Sequence, residues 1–376
     1  QFQRMSTSGP ANDIAGAFLT IDLDAIAANW RQLQGRTAPA ECGAVVKANA
    51  YGLGIGHVAP VLWDAGCRTF FVAHIHEGIQ LREILPEAGI TVLNGLIPGT
   101  APVFLEHKLT PTLNSLDEIS NWARLGRMRS GLAGWIHVDT GMSRLGLDEQ
   151  EAKTLIAEPD RLTGLSPVGL MTHLACADMP DHPTNELQRQ AFNSYRQALP
   201  MCRTSFANSS GLFLGNEFTS DVSRPGVALY GVNPTAEKTN PMRQVVELHG
   251  KILQVRQIDT PRPVGYGSAF EAPEGSVLAT VAVGYADGFL RALSGAAVGF
   301  IDGMEVPMVG RVSMDTIIFD ITAVPERHRK VGQLIELIGP NQPLDAIAGR
   351  AGTIGYEILT SLGERYHRHY RTSDSQ

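Results

Sequence analysis

Between residues 40 and 232, short apolar runs alternate with stretches in which apolar positions recur every three or four residues. The runs are four to six residues long and rich in β-branched side chains, the signature of strands buried on both faces. They predict strands at Cys42–Lys47, Thr69–Ala73, Thr91–Asn94, Thr110–Leu113, Trp135–Asp139, Val168–His173, Thr204–Ala207 and Gly226–Tyr230. The intervening pattern predicts helices over Ser115–Leu125, Glu149–Ala157 and Asn185–Leu199, the first with Leu116, Ile119 and Trp122 on one face and Asn114 or Ser115 as its cap.

Eight strand–helix repeats in about 190 residues point to an α/β fold, a parallel (β/α)8 TIM-like barrel, with a doubly wound open sheet as the rival. From about Val245 the helical period fades and short strands with turn signals take over. A hairpin is expected across Gly299–Val306, with Asp302-Gly303 at its turn, followed by strands at Thr316–Ile321 and Gln333–Ile338 and a helix after Pro343. Pro234, Asn240 and Pro241 mark a linker, giving a barrel over residues 18–240 and a mainly β C-terminal domain over 241–376. Residues 1–17 read as an N-terminal arm, its first four residues a remnant ahead of Met5.

Composition narrows the functional classes. The chain has 376 residues, 43% hydrophobic and 18% charged, with a formal net charge of -7 and no basic run. That balance argues against nucleic acid or an anionic membrane as partner, and no apolar stretch approaches the roughly 18 residues of a membrane span. Cys42, Cys67, Cys176 and Cys202 lack paired short spacings, so they read as reduced, mostly buried thiols, with no metal site and a cytoplasmic setting expected.

Candidate chemistry collects where the predicted strands end, the face on which barrels of this type carry function. Lys47 closes an apolar strand, where burial would disfavour its ammonium and free an amine for Schiff-base or proton-transfer chemistry. His173 ends the sixth strand, Asn208-Ser209 follow the seventh, and Arg224-Pro225-Gly226-Val227 lie around the eighth. Ser209 and the amides near Gly226 would suit a phosphate group, and the absence of a dinucleotide or P-loop motif points to a different phosphorylated cofactor.

The run Val46-Lys47-Ala48-Asn49-Ala50-Tyr51-Gly52 resembles the pyridoxal-phosphate attachment motif of the alanine racemase family, within the fold-type III pyridoxal-phosphate enzymes. Further segments match in order, at 138–146, 224–231, 264–267, 284–288, 310–315 and 354–357, over roughly Phe18 to Tyr370. The resemblance implies a barrel plus β domain, a homodimer with shared active sites, a small amino-acid substrate, and pyridoxal 5'-phosphate carried covalently on Lys47. Tyr51, Ser209, Tyr356 and the Gly226-Val227 amides would hold the cofactor's phosphate, Asn208 would also contact the cofactor, Arg224 would face its pyridine nitrogen and His173 its ring.

Racemisation needs acid–base groups on both faces of the α-carbon. By resemblance these are Lys47 and Tyr266, the latter with Met314 and Asp315 coming from the other subunit, with Tyr285 at the substrate entrance and Arg144 on the substrate side. The implied reaction is interconversion of L- and D-alanine for peptidoglycan, or racemisation of several amino acids. The match breaks at His137, where many family members have a carbamylated lysine that pairs with the residue corresponding to Arg144. A bound anion or water is expected to orient Arg144 in its place, unless His137 itself does so. Asp287 is expected only to brace the 284–288 turn.

Overall fold

A computed structural model describes residues 9–199, 201–235 and 238–373. Residues 1–8, which include the expected remnant and Met5, lie outside the described residues, as do parts of the expected linker. Eight parallel strands form the first unit: Glu41–Cys42 continued by Ala44–Val45, then Thr69–Val72, Gly89–Val92, Thr110–Leu113, Leu132–His137, Leu165–Met171, Arg203–Ser205 and Val222–Ser223. Val222 and Ser223 pair in parallel with Glu41 and Cys42. On the other side the Arg224 amide donates to Ala207 O at 2.9 Å, so the ring is closed. The open-sheet alternative is thereby excluded.

The eighth strand is a correction. It was expected at Gly226–Tyr230, but those residues form a 3-10 turn over Val227–Tyr230, and the strand lies just upstream. Tyr230 is fully buried there, with its hydroxyl donating to Val45 O at 2.9 Å. The apolar run therefore reports burial beneath the barrel rim, which a strand and a turn satisfy equally. Thr110–Leu113 forms with the bounds expected, whereas the other six strand predictions run one or two residues past their true ends, because each apolar run continues into the functional loop. Lys47 accordingly lies beyond its strand, at the start of a short turn over Lys47–Tyr51.

The helices follow their predicted faces. In Leu116–Arg127 the buried residues Ile119, Trp122, Ala123 and Gly126 keep the three- and four-residue spacing that seats one face on the barrel. Ser115 caps it by accepting from Glu118 N at 3.2 Å, a contact type that contributes about 1 kcal/mol. Glu149–Ala157 forms as expected, and the third helix spans Pro183–Ala198.

The second unit is a closed antiparallel barrel. Val246–Gln257 pairs with both Val277–Val281 and Leu334–Ile338, and Ile317–Asp320, Met304–Val309 and Val298–Ile301 complete the circuit. The hairpin turns at Asp302-Gly303, both at positive φ (49° and 75°), the geometry of the tight turn predicted there. One strand departs from the expected division of the chain. Ala17–Asp22, expected within the unit beginning at residue 18, is paired antiparallel with Val246–Gly250 and parallel with His367–Arg371. Its alternating burial fits this sheet, and Asp22 then caps helix Leu23–Thr37 through Ala25 N at 2.8 Å.

All four cysteines are free. Cys42 and Cys67 are buried, whereas Cys202 is exposed, so the expectation of mostly buried thiols holds for only two of them. Among the described residues no helix is long and apolar enough to cross a membrane.

Candidate active site

The strand ends converge on a cavity of about 410 Å3 that brings together Lys47, Tyr51, Arg144, His173, Asn208, Ser209, Arg224, Gly226, Val227 and Tyr356. These are all of the barrel residues singled out from sequence, together with Tyr356 of the C-terminal unit. Among the described residues no carboxylate lines the cavity. The guanidinium groups of Arg144 and Arg224 and the Lys47 amine therefore face a space without a counter-charge, an arrangement that favours an anionic occupant.

Lys47 enters on an unusual backbone. Ala48, Asn49, Ala50 and Tyr51 have φ of 52, 54, 54 and 54°. A left-handed turn of non-glycine residues costs about 1–2 kcal/mol per residue, so it persists only where its surroundings hold it. Asn49 Oδ1 accepts from Ile55 N at 2.8 Å, and Gly52 N donates to Ala48 O at 2.7 Å. Burial lowers the pKa of Lys47 below its ordinary value, Arg144 lowers it further, and Glu77 partly opposes them. The amine is thus biased toward the neutral, nucleophilic form.

Arg224 is 4% exposed. Its Nη2 donates to Thr172 O at 2.6 Å, and its Nη1 donates to Ser205 Oγ. Burial lowers its pKa to about 10, which leaves it cationic at neutral pH. Among the described residues it has no carboxylate partner, and its remaining N–H donors belong to the cavity wall. Burial, and after it Arg224, hold His173 well below the ordinary histidine range, so its ring is neutral.

At the far end, Ser209 Oγ accepts from the amides of Gly226 (2.9 Å) and Ala228 (3.2 Å), which gathers N–H groups around one small side chain. Gly226 is required there: a Cβ would lie 2.4 Å from the Tyr51 hydroxyl. Tyr51 packs between Tyr230 and Tyr356, at centroid separations of 4.7 and 6.1 Å. Burial pushes the Tyr356 phenol up to about 12, so it remains a neutral donor. Hydroxyls, amides and an uncompensated guanidinium form a donor set that fits a phosphorylated aromatic group with an acceptor nitrogen.

His137 also lines the cavity, with Nδ1 2.7 Å from Asn114 Oδ1. It faces Asn114 and makes no hydrogen bond to Arg144. Arg144 itself makes no hydrogen bond or ion pair with the described residues. His137 therefore does not orient Arg144, the alternative left open at the sequence level.

Tyr266, Tyr285, Met314 and Asp315 stand apart from this cavity on the C-terminal unit. Tyr266 is 72% exposed, Met314 52% and Tyr285 42%. Asp315 accepts from Arg365 Nη1 at 2.8 Å, and Arg365 also clasps Asp287. Asp287 braces its own turn by accepting from Gly284 N at 2.8 Å. Sequence reasoning missed Glu77, Asn94, Thr112 and Thr172. Only Glu77 carried a local signal, an acidic residue three positions into a helix start.

Fold and cavity together define a barrel enzyme built for amine chemistry. Residues 21–234 match the family description "Alanine racemase, N-terminal domain" and residues 245–370 "Alanine racemase, C-terminal domain". An alanine racemase of Rhodospirillum rubrum is 53% identical over 361 residues, covering 95% of this chain and 96% of that protein. A catabolic alanine racemase of Mesorhizobium japonicum is 47% identical, covering 97% and 96%. The crystal structure of alanine racemase from Bartonella henselae, with covalently bound pyridoxal phosphate, superposes with a TM-score of 0.92 at 44% identity, over 95% of this chain and 100% of that one. The chain belongs to the alanine racemase family.

Proposed function

We propose that this protein interconverts L- and D-alanine with pyridoxal 5'-phosphate, through two bases, Lys47 and Tyr266. The observation that carries the reading is the junction of a deprotonation-prone Lys47 with Arg224, Ser209 and Tyr51 in one cavity without carboxylates. Tyr51, Asn208, Ser209, Tyr356 and the amides of Gly226 and Val227 hold the cofactor's phosphate end. Arg224 would face its ring nitrogen and, because a guanidinium does not readily give up a proton, would leave that nitrogen unprotonated. Bound there, the cofactor supplies a π system that accepts the electron pair left when the α-proton departs.

Lys47 would anchor the cofactor and, once the substrate's amine has displaced it, its freed amine would take or return the α-proton on one face. Tyr266 does so on the other, contributed by a second copy of the chain in a homodimer with shared sites. Its 72% exposure, and its distance from the cavity of its own chain, support that reading. Met314, Asp315 and Tyr285 flank the substrate from the same copy, opposite Arg144. The setting is cytoplasmic, and the role is supply of D-alanine for peptidoglycan.

The test is polarimetry across a panel of L-amino acids with pyridoxal phosphate present. Loss of rotation with alanine far ahead of the other amino acids is expected. Comparable rates with bulky side chains would replace the reading with a broad-specificity racemase, and no change with any amino acid would remove it.

A further inference from the structure

The left-handed turn that follows Lys47 is gripped by a residue outside the cavity. Glu77 sits in the first turn of helix Ile75–Ile84 and is 7% exposed. Its two oxygens do different things. Oε2 accepts from the amides of Ala73 (2.8 Å) and His74 (2.9 Å), which caps its own helix at the end of strand Thr69–Val72. Oε1 reaches across to the amide of Ala48, the residue immediately after Lys47, at 2.6 Å. One buried carboxylate thus ties the second barrel strand to the backbone that carries the amine.

The grip matters because the turn is not self-sustaining. Ala-Asn-Ala-Tyr contains no glycine, and residues of this kind relax to negative φ when released. Relaxation at Ala48 would swing the Cα–Cβ direction of the residue before it, and with it the amine at the end of a long side chain. Misplacement of a reacting group by about 1 Å can cost on the order of a hundredfold in rate.

We propose that Glu77 is a positioning residue for Lys47, holding the left-handed Ala48–Tyr51 turn through the Ala48 amide so that the amine is presented to the cofactor pocket. This rests on the reading of Lys47 as the cofactor-bearing amine.

Glu77→Gln separates the two tasks. The amide oxygen can keep the helix cap, while its NH2 meets the Ala48 N–H donor to donor and breaks the grip. Cofactor uptake by the apoenzyme, followed by tryptophan fluorescence, is expected to weaken about tenfold or more. In the loaded enzyme kcat is expected to fall by a similar factor, with KM for alanine within about threefold and the apoenzyme unfolding midpoint nearly unchanged. Adding Ala48→Gly, which accepts positive φ without strain, should recover most of the lost cofactor affinity.

Uptake and kcat equal to those of the unaltered protein would overturn the proposal, as would a lowered midpoint as the sole effect. If Glu77→Gln does not fold, amide exchange in the unaltered apoenzyme decides. Protection of Ala48 N–H comparable to the Phe70–Val72 strand is expected, and exchange at an exposed-loop rate would overturn it. Lys47→Ala run alongside tells the two failures apart: covalent cofactor retained in Lys47→Ala refutes the reading of Lys47, not the grip.

Discussion

His137 Nδ1 lies 2.7 Å from Asn114 Oδ1, so the histidine is fixed as a neutral donor to an amide carbonyl. Burial, and after it the Arg224 charge, hold its pKa down to about 4. The unfolded chain therefore binds a proton that the folded one refuses. Stability contributed by this group is complete above its unfolded value of about 6.5 and is lost as pH falls from there toward 4. His137→Gln should flatten the stability–pH slope in that window, by up to about 1.4 kcal/mol per pH unit. Urea unfolding at pH 5, 6 and 7 reads the difference, and parallel slopes would refute the assignment.

Arg224 depresses both His137 and His173 by charge. Arg224→Met should therefore let His137 titrate closer to its ordinary value, visible in the imidazole proton resonances as a higher midpoint. The same change strips the Thr172 carbonyl of its donor at 2.6 Å. Leaving a buried acceptor unpaired costs about 1–3 kcal/mol, so the unfolding midpoint should drop as well.

A methyl group on Gly226 would sit 2.4 Å from the Tyr51 hydroxyl. Gly226→Ala is expected to push the phenol aside at a cost of about 1–3 kcal/mol and to weaken pyridoxal phosphate binding more than it weakens the fold. Equilibrium dialysis beside a thermal melt separates the two effects. Wild-type affinity in the variant would show that the cofactor does not use this corner.

The proposed sharing of sites between two copies of the chain predicts complementation. Lys47→Ala and Tyr266→Phe should each lower kcat by about two to four orders of magnitude. Mixed in equal amounts and allowed to exchange subunits, half the dimers become hybrids, each with one site carrying both native groups. Recovery to about one quarter of wild-type activity follows from that symmetry. A mixture no more active than its components would refute a site that combines Lys47 of one copy with Tyr266 of the other.

The barrel and its rim chemistry were legible because they are written locally. Lys47 closes one apolar run, Ser209 comes just after another and Arg224 just before a third, and the periodic helices Leu116–Arg127 and Glu149–Ala157 carry their own caps. What escaped notice depends on non-local facts. Nothing in Ala48-Asn49-Ala50-Tyr51 announces positive φ, since all four would ordinarily be read as right-handed or extended. Glu77 looks like a helix cap, and its second task needs a residue 29 positions away. The run Gly226–Tyr230 is apolar because Tyr230 is fully buried, not because it is a strand.

The strand Ala17–Asp22 also has consequences for how the molecule comes into being on the ribosome. Its parallel neighbour, His367–Arg371, is translated about 350 residues later. At about 5–20 residues per second, Phe18 waits roughly 20 to 70 s for His367 to emerge. Throughout that interval an apolar edge of the nascent chain stands unpaired while the barrel behind it folds. A chaperone that recognises extended apolar segments would find its target there, at the first strand rather than in the barrel.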